Sequence, residues 1–266
     1  MKSDTKIRIG SDTYAGFYEF VKINQLEKIR ALISKTCNEE MLLGTIILST
    51  EGINGSVAGN GESINKLLSI LEHSLFFKHL IINRTKVTTE PFDRMVVRVK
   101  PEIVTSDFGN LSFKDSQYVE PENWDHFIRR QDIITMDVRN FYEHSIGSFV
   151  NSWSPNIRRF RELQEIVFKE LKKHRQRKIA IYCTGGIRCE KASSLLRGFG
   201  FHQIFQLKGG IFNYFQNKHI AEAYLLSALC HHKNGNSNDI FCTHAEKALS
   251  LDPTLAKKGA LHLELF

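Results

Sequence analysis

The chain has 266 residues, 42% of them hydrophobic, which is enough for one large or two modest cores, and two domains is the better expectation. A formal charge of +7 and a pI near 9.1 favour a polyanion such as RNA over an acidic protein as partner. The five cysteines, Cys37, Cys183, Cys189, Cys230 and Cys242, lack the close paired spacing of a disulfide scaffold or zinc ribbon, no window is long and apolar enough to span a membrane, and no apolar segment follows the charged residues 1–6; a cytoplasmic protein without membrane attachment is expected.

Over residues 13–104 short β-rich runs alternate with helical ones. Residues 14–23 read as a strand and 25–34 as a helix with Leu26, Ile29 and Leu32 on one face. Strands follow at 42–48 and, after a break at Glu51-Gly52, at 54–58; a second helix covers 63–71 and a fourth strand 81–87. This βαββαβ order is that of a ferredoxin-like α+β domain. A further run, 95–100, extends the sheet, with Arg98 and Lys100 on one side and Val97 and Val99 on the other. Together with Arg94 these basic residues are candidate RNA phosphate contacts, although a solvated basic strand accounts for them equally well.

The polar stretch 105–120, with Gly109-Asn110, reads as a linker. Beyond it, helices at 124–130, 157–174 and 190–199 alternate with strands at 133–138, 178–182 and 203–207. That alternation predicts a parallel α/β domain over 121–216, whose ligands bind beyond the carboxyl ends of the strands. Residues 217–266 read as a helical hairpin (221–232 and 242–251) packed on the preceding domain; it resembles a single tetratricopeptide unit, which cannot bury its apolar face alone.

Cys183 ends the strand at 178–182 and opens the run Cys183-Thr184-Gly185-Gly186-Ile187-Arg188-Cys189. Two glycines let backbone N–H groups turn inward, and the next helix points its positive end at the loop. A thiol placed there ionises readily, so Cys183 is the expected nucleophile. Three chemistries fit: phosphate ester hydrolysis, sulfur transfer through a persulfide, and redox exchange. Cysteine phosphatases place Arg six positions after the Cys, whereas Arg188 comes five after Cys183. The smaller ring suits a persulfide, whose outer sulfur the N–H groups of residues 184–188 would hold, and Arg188 joins Cys183 as a catalytic candidate, fixing the loop or meeting an incoming anion. Cys189 is a candidate second thiol or a small buried hydrophobe. Asp137 and Arg139, at a strand end, read as scaffold, and His144 as a histidine outside the catalytic set. No metal ligand set is expected.

The residues Asp137-Val138-Arg139, Tyr142-Glu143, Gly147-Ser148-Phe149 and the Cys183 loop together resemble a rhodanese domain, whose Cys-x-x-Gly-x-Arg pattern is met by Cys183, Gly186 and Arg188. The longer string from Tyr182 to Ser193, with Leu207-Lys208-Gly209-Gly210-Ile211, is similar to a narrower group, the tRNA uridine hydroxylases (TrhO). In the N-terminal half, Phe17-Tyr18-Glu19-Phe20, Glu51-Gly52-Ile53-Asn54-Gly55-Ser56, and Pro91-Phe92 through Lys100-Pro101-Glu102-Ile103-Val104 are similar to that family's acylphosphatase-like domain. The resemblance implies oxygen-dependent 5-hydroxylation of the wobble uridine of tRNA, with the anticodon arm as partner and molecular oxygen as co-substrate. It also implies Cys183 as the required cysteine, described in the family as a persulfide intermediate. No bound cofactor is identifiable. The alternatives are a persulfide-forming sulfurtransferase working without tRNA, and an interaction protein with an inert rhodanese fold, against which the intact Cys183 and Arg188 argue. The resemblance ends near Gln216, and residues 217–266 show neither the Gly-Glu-Cys-Phe-Val-Phe-Asp-like segment nor the cysteine-rich tail common in the family.

Overall fold

In the computed structural model the described residues are 12–75, 77–109, 111 and 116–218. The expected hairpin beyond Lys218 therefore lies outside the described residues. The chain divides into two compact units between Ile103 and Val104.

The first unit is built from β1 (Thr13–Phe20), α1 (Leu26–Glu39), β2 (Leu43–Ser49), β3 (Gly52–Gly59), α2 (Gly61–Ser69), β4 (Ile81–Lys86) and β5 (Met95–Val99). The strands form one mixed sheet in the order β4-β1-β3-β2-β5, in which only the β2–β5 pair is parallel. Alternation along β1 sends Ala15 and Phe17 into a core with Ile46, Leu48, Ile53 and Val57, which Ile33 of α1 and Leu67 of α2 complete. Asn60 caps α2 by accepting the Glu62 N–H at 2.8 Å. The run Glu51-Gly52-Ile53-Asn54 has a structural use: the Glu51 carboxylate accepts the Ile103 N–H at 2.7 Å, and the Asn54 amide donates to the Ile103 carbonyl at 3.0 Å. These bonds fasten the segment that leaves β5.

The second unit comprises β6 (Gln117–Val119), α3 (Pro121–Ile128), β7 (Ile133–Asp137), α4 (Phe141–Ile146), α5 (Leu163–Glu170), β8 (Lys178–Tyr182), α6 (Ile187–Gly198), β9 (Ile204–Leu207) and α7 (Gly210–Lys218). Its four strands are all parallel, in the order β6-β9-β8-β7. A parallel sheet needs both faces covered. On one side Met136, Ile179 and Ile181 pack with Val167 of α5 and Leu195 and Leu196 of α6. Elsewhere Tyr182 joins an aromatic cluster with Trp124 of α3, Phe149 and, through Phe149, Tyr214 of α7.

Three local expectations are revised. The stretch read as a linker is bound into the second unit: β6 pairs with β9, the Phe108 ring packs tilted against Phe160 with centres 5.2 Å apart, and buried Lys191 donates to the Val104 carbonyl at 2.8 Å. Polar average composition concealed it, because much of what holds it is polar. The expected helix 157–174 is interrupted; 160–162 and 172–174 are 3-10 turns flanking α5, and Asn156 is left-handed at φ 51°. Helix α6 starts at Ile187, three residues early, so Ile187 is its first residue and Arg188 and Cys189 lie in its first turn.

Candidate active site

Strand β8 is buried from Ile179 to Tyr182, which fixes the position where the chain leaves the sheet at Cys183. The loop then closes tightly. Gly186 sits at φ +100°, a conformation suited to glycine, and its N–H donates to the Cys183 sulfur at 3.1 Å. The loop is also held from α7: Ile211 and Phe212 donate their N–H groups to the carbonyls of Cys183 and Thr184 at 2.9 and 3.0 Å. Gly210 makes this approach feasible, since a Cβ there would lie 2.5 Å from both carbonyl oxygens.

Cys183 and Cys189 are both fully buried. Burial pushes the Cys183 thiol up, but a hydrogen bond from the Cys189 thiol, the Arg188 charge and the N–H groups of Cys189 and Gly186 outweigh it and bring the pKa down to about 6. Cys189 moves the other way: burial, and then the neighbouring Cys183 sulfur, hold it well above the usual thiol range. At neutral pH the pair is a thiolate receiving a hydrogen bond from a thiol.

Arg188 is paired. Its two terminal nitrogens donate to the two Glu143 carboxylate oxygens at 2.6 and 2.7 Å, and one also reaches the Thr184 hydroxyl at 2.9 Å. Thr184 donates to Glu143 at 2.7 Å, and Glu143 accepts the Asn140 N–H at 3.3 Å. With Arg188 8% and Glu143 5% exposed, this bidentate pair is shielded from solvent. Of the two sequence readings of Arg188, loop fixing is the one its geometry supports.

Asp137 and Arg139 form a second buried pair at the end of β7. Arg139 donates to Asp137 at 2.7 Å and also to the Gly147 carbonyl, with its guanidinium 5.6 Å from the centre of the Tyr182 ring. Burial opposes the charge on Asp137, but Arg139 and a 2.9 Å contact with His144 Nδ1 keep its pKa below the ordinary range. His144, set aside at the sequence level, thus faces a buried carboxylate. Glu143 is the functional side chain that sequence reading did not assign. Its signal was the Asn140-x-x-Glu143 spacing of a helix start, combined with the need of a buried Arg for a counter-charge.

Arg94, Arg98 and Lys100 are exposed and lie in or beside β5, an edge strand of the first unit's sheet. Among the described residues no group of three or more His, Cys, Asp or Glu side chains is placed to hold a metal ion, and no helix is long and apolar enough to cross a membrane.

Residues 13–103 match the model of the UPF0176 acylphosphatase like domain, and residues 121–217 that of the Rhodanese-like domain. The tRNA uridine(34) hydroxylase of Wolbachia sp. subsp. Brugia malayi (strain TRS) is 38% identical over 206 residues, covering 77% of this chain and 76% of the relative. The chain belongs to the tRNA uridine(34) hydroxylase family. Two further members, from Neorickettsia sennetsu (strain ATCC VR-367 / Miyayama) and Legionella pneumophila (strain Corby), are 40% and 38% identical. They cover 76% of this chain each, and 75% and 81% of the relatives. Family membership gives the Cys183 loop its setting: the thiolate, its two N–H donors and the clamped Arg188 all lie within the matched Rhodanese-like segment.

Proposed function

We propose that this protein hydroxylates C5 of the wobble uridine of tRNA, with molecular oxygen as co-substrate and Cys183 as the residue that meets the base. The observation that carries this reading is the Cys183 thiolate, held at the carboxyl end of β8 in a chain from the hydroxylase family. Arg188 beside it, and Arg139 at the end of β7, are already neutralised by Glu143 and Asp137. A neutral heterocycle such as uracil suits a site whose cations are paired.

In this reading Cys183 is catalytic, and Arg188, Thr184, Gly185, Gly186 and Ile187 shape the loop. Asp137 and Arg139 are scaffold. Wobble bases lie in a single-stranded loop, where unstacked bases can be splayed out and taken into a pocket. Arg94, Arg98 and Lys100 of the 13–104 domain contact phosphates of the anticodon arm.

The test is nucleoside mass spectrometry of tRNA from cells lacking the gene, complemented with wild type or Cys183→Ala. Loss of 5-hydroxyuridine derivatives on deletion, restored by wild type alone, is the expected result. Unchanged levels on deletion, or restoration by Cys183→Ala, overturn it. Turnover of thiosulfate and cyanide without RNA or oxygen, in place of any change in tRNA, identifies a sulfurtransferase.

A further inference from the structure

Hydroxylation by dioxygen has an electron requirement. One oxygen atom enters the product and the other must be reduced, so each turnover consumes two electrons and two protons beyond those of the C–H bond. The described residues contain one pair of thiols in contact. Cys183, at the end of β8, and Cys189, in the first turn of α6, are fully buried in the same core cluster, and the Cys189 thiol donates a hydrogen bond to the Cys183 sulfur. The Gly186 turn creates this contact: Cys189 N–H bonds to the Gly186 carbonyl at 2.9 Å while Gly186 N–H bonds to the Cys183 sulfur at 3.1 Å.

Resting on the hydroxylase reading above, we propose that Cys183 and Cys189 are the two-electron donor of the reaction and leave each turnover as a disulfide. In the first step uridine C–H, dioxygen, the Cys183 thiolate and one proton from solvent give C–OH and a sulfenic acid on Cys183. The C–H and O–O bonds break, C–O, S–O and two O–H bonds form, and carbon and sulfur each lose two electrons to oxygen. In the second step the Cys189 thiol condenses with the sulfenic acid, the S–O and S–H bonds break, and a disulfide and water form. An external thiol reductant then restores both thiols, itself becoming a disulfide.

The geometry suits the second step. Among the described residues, the thiol placed against a sulfenic acid on Cys183 is that of Cys189. Burial and the adjacent sulfur keep Cys189 protonated, so it carries the proton that leaves with water. Cys37, buried in the core of the first unit, takes no part.

The test uses the full-length protein, fully reduced and freed of reductant, with tRNA substrate in air. Product is counted by nucleoside mass spectrometry and thiols are mapped by differential alkylation. Product is expected to stop at one equivalent per chain, with one Cys183–Cys189 disulfide per 5-hydroxyuridine, and dithiothreitol is expected to restart turnover. Cys189→Ser is expected to accumulate a dimedone-reactive sulfenic acid on Cys183 and to turn over at least tenfold more slowly with dithiothreitol present. Several equivalents of product without reductant, product with both thiols still free, or wild-type turnover by Cys189→Ser each overturn the dithiol role and leave the hydroxylase reading standing. Absence of hydroxyuridine from wild type with any reductant overturns both. Because the wild-type stoichiometry decides by itself, a Cys189 variant that fails to fold does not block the test.

Discussion

Replacing Glu143 is the most discriminating perturbation of this site, because it separates charge from architecture. Glu143→Ala leaves Arg188, 8% exposed, without its counter-ion and Thr184 without an acceptor. Breaking a buried pair from one side costs about 3–5 kcal/mol, because the surviving charge stays desolvated. Replacing both partners, Glu143→Leu with Arg188→Met, removes that penalty and is expected to cost far less than either single change. Urea unfolding followed by tryptophan fluorescence reads this directly, since both tryptophans, Trp124 and Trp153, lie in the second unit. The thiol supplies an independent readout. Glu143→Gln keeps an acceptor oxygen but uncovers the Arg188 charge, so Cys183 should titrate below its wild-type value of about 6, whereas Arg188→Met should raise it. Thiolate ultraviolet absorbance, taken as the difference from Cys183→Ser in each background, follows this without requiring reagent access. Equal stability losses in single and double variants, or a Cys183 titration that moves the same way in both backgrounds, would show that the pair does not govern the site electrostatically.

The depressed Cys183 pKa also links stability to pH. With the thiol at about 6 in the folded state against an ordinary value of 9.0, folding favours the thiolate; the contribution is complete above pH 9 and is lost as pH falls through 6. Wild type should therefore gain on Cys183→Ser between pH 6 and 9, by at most about 4 kcal/mol at about 1.36 kcal/mol per unit, and parallel stability curves would contradict this. Gly210→Ala is expected to lower the urea midpoint of the second unit by a loss of about 1–3 kcal/mol, the scale of a strained left-handed residue, since φ is +69° and the new methyl meets two carbonyl oxygens of the Cys183 loop. A wild-type midpoint in that variant would mean α7 does not brace the loop. If Arg94, Arg98 and Lys100 contact phosphates, each alanine substitution should flatten the log–log salt dependence of tRNA binding by about 0.7–0.9, as measured by filter binding across a salt series; unchanged slopes would remove β5 from the interface.

Much of the fold was legible because its signals are local. The alternation along β1 and β2, the buried run 178–182 and the two glycines after Cys183 each reflect a constraint that a few neighbouring residues satisfy by themselves. What escaped reading depends on partners far apart in the chain. Glu143 meets Arg188 across 45 positions, and the Asn140-x-x-Glu143 spacing marks a helix start without showing which cation its carboxylate meets. Helix α6 is buried on nearly every side, including Arg188, Lys191, Ser193 and Ser194, so it lacks the apolar stripe that would have marked its start at Ile187. The stretch after Ile103 looked like a linker for a related reason. It is fastened by polar groups of that same helix: Lys191 holds the Val104 carbonyl, and Glu190 accepts from Ser116 and Tyr118 at 2.9 and 2.8 Å.

These contacts divide the labour within Cys189-Glu190-Lys191. Cys189 turns toward the Cys183 sulfur, while the next two side chains turn to residues 104–118 and fasten that segment to the helix carrying Cys189 and Arg188. A helix anchored on both sides cannot easily rotate its first turn. Its first turn contains the Cys189 thiol and the Arg188 charge, the two side-chain groups that keep Cys183 ionised. The second half of the motif therefore supports the chemistry of the first through rigidity, with neither Glu190 nor Lys191 needing to touch the substrate.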